Sequence, residues 1–150
     1  ARCLAGFWEN YARAAADRRP TVEYDVVELA EKLVGTDIAL GGSDRHANYR
    51  RVKDLLAAAD AREGVRLAVD GLYHYWLGAA ALKGKSQAEA TAAERAAARK
   101  EFEPARAALE RAWETNPKGP HAPALMILLS AQLGRPDDET EEWFRRAVAA

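Results

Sequence analysis

The sequence predicts an all-α domain of antiparallel helix pairs, and three observations predict it. Alanine, leucine, glutamate, arginine and lysine dominate the composition, and these are strong helix formers. No stretch alternates polar and apolar residues long enough for a convincing strand. Apolar residues instead recur at steps of three and four, the period that gathers them on one helical face. At 150 residues the chain suits one domain, because folding at this size buries roughly 70% of the surface the unfolded chain exposes.

The elements follow in order. Leu4, Phe7, Tyr11, Ala14 and Ala15 mark one face of a first helix, Cys3 to Asp17, which Arg18-Arg19-Pro20 breaks. Thr21 is expected to cap a second helix whose stripe, Val22, Val26, Leu29 and Leu33, ends at Gly35, where a left-handed residue is inexpensive. Gly35 to Ser43 reads as a loop. Ser43 or Asp44 then caps a third helix to about Ala61, with Tyr49, Val52, Leu55, Leu56 and Ala59 inward. After a turn at Glu63-Gly64, a fourth helix runs from Val65 to Lys83. Ala68, Leu72, Tyr75, Trp76, Ala79 and Leu82, with Tyr73 and Leu77 beside them, make it apolar over much of its circumference, so it is expected to be central.

Ser86 is expected to open an alanine-rich helix, Ala88 to Lys100, and Pro104 either kinks that helix or begins a new one. The stripe resumes at Ala105, Ala108, Leu109, Ala112 and Trp113 and stops at Asn116-Pro117. Leu125 to Leu133 is densely apolar, Gly134-Arg135-Pro136 ends it, and Asp137 or Asp138 can cap a last helix through Ala150. There Trp143, Phe144 and Val148 are expected to pack on Leu125, Leu128 and Leu129. About seven helices result.

The last two pairs are self-similar. Leu109 and Phe144, Arg111 and Arg146, Ala112 and Ala147, and Trp113 and Val148 are each 35 residues apart, and a period near this length belongs to stacked helical hairpins. Ala105, Leu109, Ala112 and Pro117, together with Trp76-Leu77-Gly78 and Ala81 and, in the last unit, Thr140, Phe144 and Ala147, resemble the tetratricopeptide repeat (TPR). Trp76 stands too close to its Leu-Gly pair for the family pattern, and the alanine-rich run looks like an insertion between the two motif halves. Residues 1–64 carry only an echo, Trp8, Ala12, Ala15 and Pro20. The resemblance implies a single TPR-like domain over residues 1–150, with degenerate helices in 1–64 and TPR-like pairs in 65–150, stacked as a right-handed superhelix. The absent initial methionine and the last helical run, which has no stop signal, give the expectation of a fragment of a longer chain.

Charge and composition narrow the function classes. A formal net charge of −1 offers no broad positive field for a phosphate backbone, so no nucleic-acid partner is expected. The longest apolar run, Ala124 to Leu129, is far short of the roughly 20 residues that cross a bilayer, so no membrane insertion is expected. Cys3 is the lone cysteine and has no partner for an internal disulfide. His46, His74 and His121 fall in separate elements without the spacing of a helical metal site. Asp70 and His74 lie one turn apart and could hold a metal or form an acid–base pair, although a helix-surface hydrogen bond serves the same spacing. Gly41-Gly42-Ser43 lacks the lysine and strand of a phosphate-binding loop and reads as a connector. The basic cluster Arg45, Arg50, Arg51 and Lys53 is diluted by Asp44 and Asp54 and reads as a solvated face.

The expectation is therefore a non-catalytic interaction scaffold, with no cofactor or metal, whose partner is a protein or peptide. In the TPR family the first helix of each pair lines a concave surface, and the resemblance puts Tyr73 and His74 there as ligand-binding residues, with Trp76 as core. The alternatives are an accessory or regulatory domain of a larger enzyme, and a small hydrolase or metal enzyme using Asp70 and His74.

Overall fold

A computed structural model describes residues 13, 19–41, 44, 46–58, 60–119, 121–134 and 137–149. Apart from Arg13, the first expected helix lies outside them. The described residues form six helices and no strand: α1 (Arg19–Leu40), α2 (Ala47–Ala58), α3 (Glu63–Ala81), α4 (Ala92–Thr115), α5 (His121–Leu133) and α6 (Asp137–Ala149). The all-α class is thus observed. The largest interface is α3 against α4, and the other principal contacts join α1 to α3, α1 to α2, α4 to α5 and α5 to α6.

The α3–α4 interface follows from two interlocking seven-residue patterns. On α4, Ala98, Phe102, Ala105, Leu109 and Ala112 alternate steps of four and three, and all are buried. On α3, Gly64, Gly71 and Gly78 repeat every seven residues along the facing edge, and all three are buried. A Cβ at Gly71 would lie 2.6 Å from Leu109 Cγ, one at Gly64 would lie 2.9 Å from Thr115 Oγ1, and one at Gly78 would overlap the Phe102 ring. Each glycine therefore sits where the partner helix comes too close for any side chain. Gly64, expected in a turn, is in the first turn of α3.

Several boundaries differ from expectation, each for a local reason. Thr21 lies inside α1, because Pro20 is in the first turn, where its missing amide costs nothing. Gly35 does not end α1. It is buried under Trp76 of α3, whose Cε2 would be 2.8 Å from a Cβ there, and Val34 and Ile38 carry the buried stripe past it. The helix ends at Gly41, whose φ of +60° is left-handed. Within the former loop, Asp37 accepts hydrogen bonds from the Asn48 backbone and side-chain nitrogens, both at 2.9 Å, so α1 caps the start of α2. Asp44 also contributes there, through its own side chain to the His46 amide at 3.2 Å. Asp60, at φ 48°, closes α2 before Ala61, whose amide reaches the Leu56 carbonyl at 3.0 Å.

Ser86 opens only a turn, held by Glu89 Oε2 at 2.9 Å from its amide. The helix begins after Thr91, where Thr91 and Glu94 form a reciprocal capping box. The Thr91 amide first, and then a contact from Lys85 at 2.9 Å, draw the Glu94 pKa down to about 2. Pro104 is accommodated within one continuous α4. In α6, Trp143 alone of the expected trio is buried. Phe144 is 59% exposed and Val148 74%, as is half of Leu128 at 51%. Trp143 wins the inward position by meeting Trp113 edge to face at 6.4 Å, while the Arg146 guanidinium lies 4.4 Å from its ring centre.

The glycine register makes a direct test. Alanine favours a helix over glycine by about 1 kcal/mol, yet Gly78→Ala is expected to lower stability by about 1–3 kcal/mol through overpacking against Phe102. Urea denaturation of the variant measures the sign, and a stabilised Gly78→Ala protein would show that α3 and α4 are not in close register.

Candidate functional site

Two arrangements on α3 gather the polar and aromatic side chains that sequence reasoning singled out. The first is a seam joining α3 to α2 on one side and to α4 on the other. Tyr73 stacks on Tyr49 with ring centres 3.7 Å apart and planes within 5°. Its hydroxyl is hydrogen-bonded to His46 Nδ1 at 2.8 Å. One turn earlier, Asp70 accepts a bond from the Tyr49 hydroxyl at 2.8 Å and two from Lys53 Nζ, at 2.7 and 2.8 Å. His74 takes the opposite direction: its Nδ1 is 2.8 Å from Glu101 Oε2 on α4. Because an ionised carboxylate only accepts, this contact places a proton on Nδ1.

Asp70 and His74 are therefore not paired with each other. Asp70 faces α2 and His74 faces α4, and the one-turn spacing serves two interhelical links. The basic cluster is divided in the same way, with Lys53 spent on Asp70 and Arg50 paired with Asp44, while Arg45 lies outside the described residues. So do Cys3 and the Gly42-Ser43 part of the connector. Among the described residues, no group of three or more His, Cys, Asp or Glu side chains could hold a metal ion. No helix among them is long and apolar enough to cross a membrane.

The second arrangement is an open groove of about 420 Å³ lined by Glu28, Glu31, Lys32, Gly35, Thr36 and Ala39 of α1 and by Trp76 of α3. Trp76, expected in the core, sits at the core's edge and is partly exposed. The buried Gly35 lets the indole lie against the α1 backbone. Lys32 bridges to Glu28 at 2.8 Å, and the Thr36 hydroxyl turns back to the Lys32 carbonyl at 2.6 Å. Glu31 is exposed. Burial first, and then the Glu31 charge, raise the pKa of Tyr75, the neighbour of Trp76. The sequence signal for this groove is Gly35 itself, since a glycine within an apolar helical stripe can mark a close approach as well as a helix end. Comparison with protein-family models, curated proteins and solved structures finds no match to the chain.

The seam has a pH signature. Burial first, and then the hydrogen bond to Asp70, raise the Tyr49 pKa well above the ordinary 10.0. A raised folded-state value means a contribution to stability that is complete below 10.0 and is lost as the pH climbs beyond it. Denaturation measured from neutral to strongly alkaline pH is expected to show stability falling above that point, with Tyr49→Phe flattening the fall. An equal slope in both proteins would mean that Tyr49 ionises freely in the folded state.

Proposed function

We propose that the chain is a non-catalytic interaction scaffold of TPR-like helix pairs, and that the first helices of the pairs, α1, α3 and α5, form a concave face that receives a peptide or a neighbouring domain. The observation that carries this reading is the groove beside Trp76. It is an open, largely apolar depression between two of those first helices, with a large aromatic at its edge and charged groups around it, as peptide-binding surfaces require.

The packing order supports the reading. Each helix pair rests on its chain neighbours, α1 contacts α3, and α3 contacts α5, the nearest-neighbour arrangement of a solenoid. A right-handed superhelix is the corresponding expectation for the pairs. The fate of the polar residues supports it too. Asp70, His74, Tyr49 and Lys53 link helices to one another, a structural use that accounts for them without a reaction. Tyr73 and His74, tied to α2 and α4 and absent from the groove lining, would then support the scaffold, with Trp76 as the α3 residue of the binding face.

Selection of peptides from a displayed library tests the proposal. Bound peptides are expected to slow amide exchange in α1 and α3, and Ala39→Phe, at an exposed position inside the groove, is expected to abolish binding without changing the melting temperature. If the selected peptides protect other helices, or bind the Ala39→Phe protein equally well, the groove is not the interaction surface.

A further inference from the structure

We propose that the groove takes the cationic side chain of an arginine or lysine on a peptide partner, holding the cation between the Trp76 ring and the Glu31 carboxylate. The inference rests on the groove being an interaction surface and adds the chemistry of what fits it. The solvent side of α1 is acidic: Asp25 and Glu31 are exposed and Glu28 lies between them along the helix. The one lysine in the groove, Lys32, is already neutralised by Glu28 at 2.8 Å. Glu31 makes no hydrogen bond or ion pair with a described residue, so its carboxylate carries a net negative charge into the groove mouth. Glu31 and Trp76 both line the groove, so the charge and the indole border the same space.

The remaining lining is apolar and flat. Gly35 and Ala39 offer no polar side-chain group, Thr36 has turned its hydroxyl to the α1 backbone, and Trp76 presents an indole surface. This combination suits a long side chain with an apolar stem and a charged tip. The methylenes would lie along Ala39 and the Thr36 methyl, both exposed, and the tip would meet an aromatic face and a carboxylate, the two groups that hold guanidinium and ammonium ions. An acidic side chain would meet the uncompensated Glu31 charge, and an aliphatic one would leave Glu31 without a role. The volume of about 420 Å³ leaves room for the flanking peptide backbone.

The test uses three capped tripeptides with arginine, leucine or glutamate between two alanines, titrated against the whole chain. The readout is the NMR resonance of the Trp76 indole N–H, assigned by its loss in Trp76→Phe. The arginine peptide is expected to shift the resonance saturably, the leucine peptide more weakly, and the glutamate peptide not at all. Glu31→Gln, at an exposed position, is expected to weaken the arginine peptide by about fivefold, the scale of one solvent-accessible charge contact, and to leave the leucine peptide unchanged. If leucine binds as well as arginine, or Glu31→Gln leaves the arginine affinity intact, the cation site is wrong while the interaction surface stands. If none of the three produces a saturable shift, both readings fall together.

Discussion

The close approach of α3 and α4 is the constraint on which the rest of the structure depends. Gly64, Gly71 and Gly78 each cost a helix about 1 kcal/mol relative to alanine, and three in one helix would be a poor choice if α3 stood alone. They are tolerable because the partner helix occupies the space their side chains would need, with Leu109, Phe102 and the Thr115 end of α4 against them. Burial of Phe102 and Leu109, both fully enclosed, is of the order of 1.5–3 kcal/mol each, enough to offset the glycine cost. The seven-residue spacing also fixes the relative rotation of the two helices, since a shift of one position would bring Val65, Leu72 and Ala79 into the narrow edge.

Once that rotation is set, the other faces of α3 are assigned. Leu72 and Val69 point to the core. Trp76 comes round to α1, where Gly35 makes room for it, and Tyr73 and Asp70 come round to α2. His74 lies at the rim of the α4 contact and meets Glu101. The seam and the groove are thus two consequences of one helix register. The seam closes α3 against α2 by stacking and hydrogen bonds, and the groove stays open because the side chains α1 presents around Gly35, Thr36 and Ala39 are too small to fill it.

The helical class, most of the inward stripes and the central place of the Glu63–Ala81 helix were legible because they depend on local periodicity. Val52, Leu56, Leu72, Leu109 and Leu129 are buried as their spacing demanded. What was not legible depends on partners distant in sequence. A glycine in a helix looks the same whether it ends the helix or admits a neighbour, so nothing local distinguishes Gly35 and Gly64 from punctuation. Two Ser/Thr-x-x-Glu signals stand five residues apart at Ser86 and Thr91, and the helix takes the second, where Lys85 adds its charge to Glu94. The roles expected for Trp76 and Tyr73 turn on where α1 and α2 sit around α3. No pattern within α3 could decide between an aromatic stacked on Tyr49 and one facing a groove.

The last pair shows how far a sequence repeat constrains packing. Leu109 and Phe144 stand 35 residues apart, the spacing that suggests equivalent positions, yet Leu109 is fully buried and Phe144 is 59% exposed. The difference follows from the neighbour. Leu109 meets the glycine edge of α3, which accepts a side chain close to the helix axis. Helix α5 offers no comparable glycine edge, since its buried positions include Leu125, Met126 and Leu129, and a second large residue at the equivalent position would be held away. Trp143, one residue earlier, reaches the flank of Trp113 instead, and Arg146, tied to Glu142 at 2.9 Å, covers the pair. A further tie comes from Arg106 on α4 to Glu139 at 3.1 Å, so the rotation of α6 is set by its contacts to α4 as well as to α5. Equivalence in sequence fixes which residues are helical and apolar, whereas the side chain that goes inward is chosen by the shape of the surface it meets.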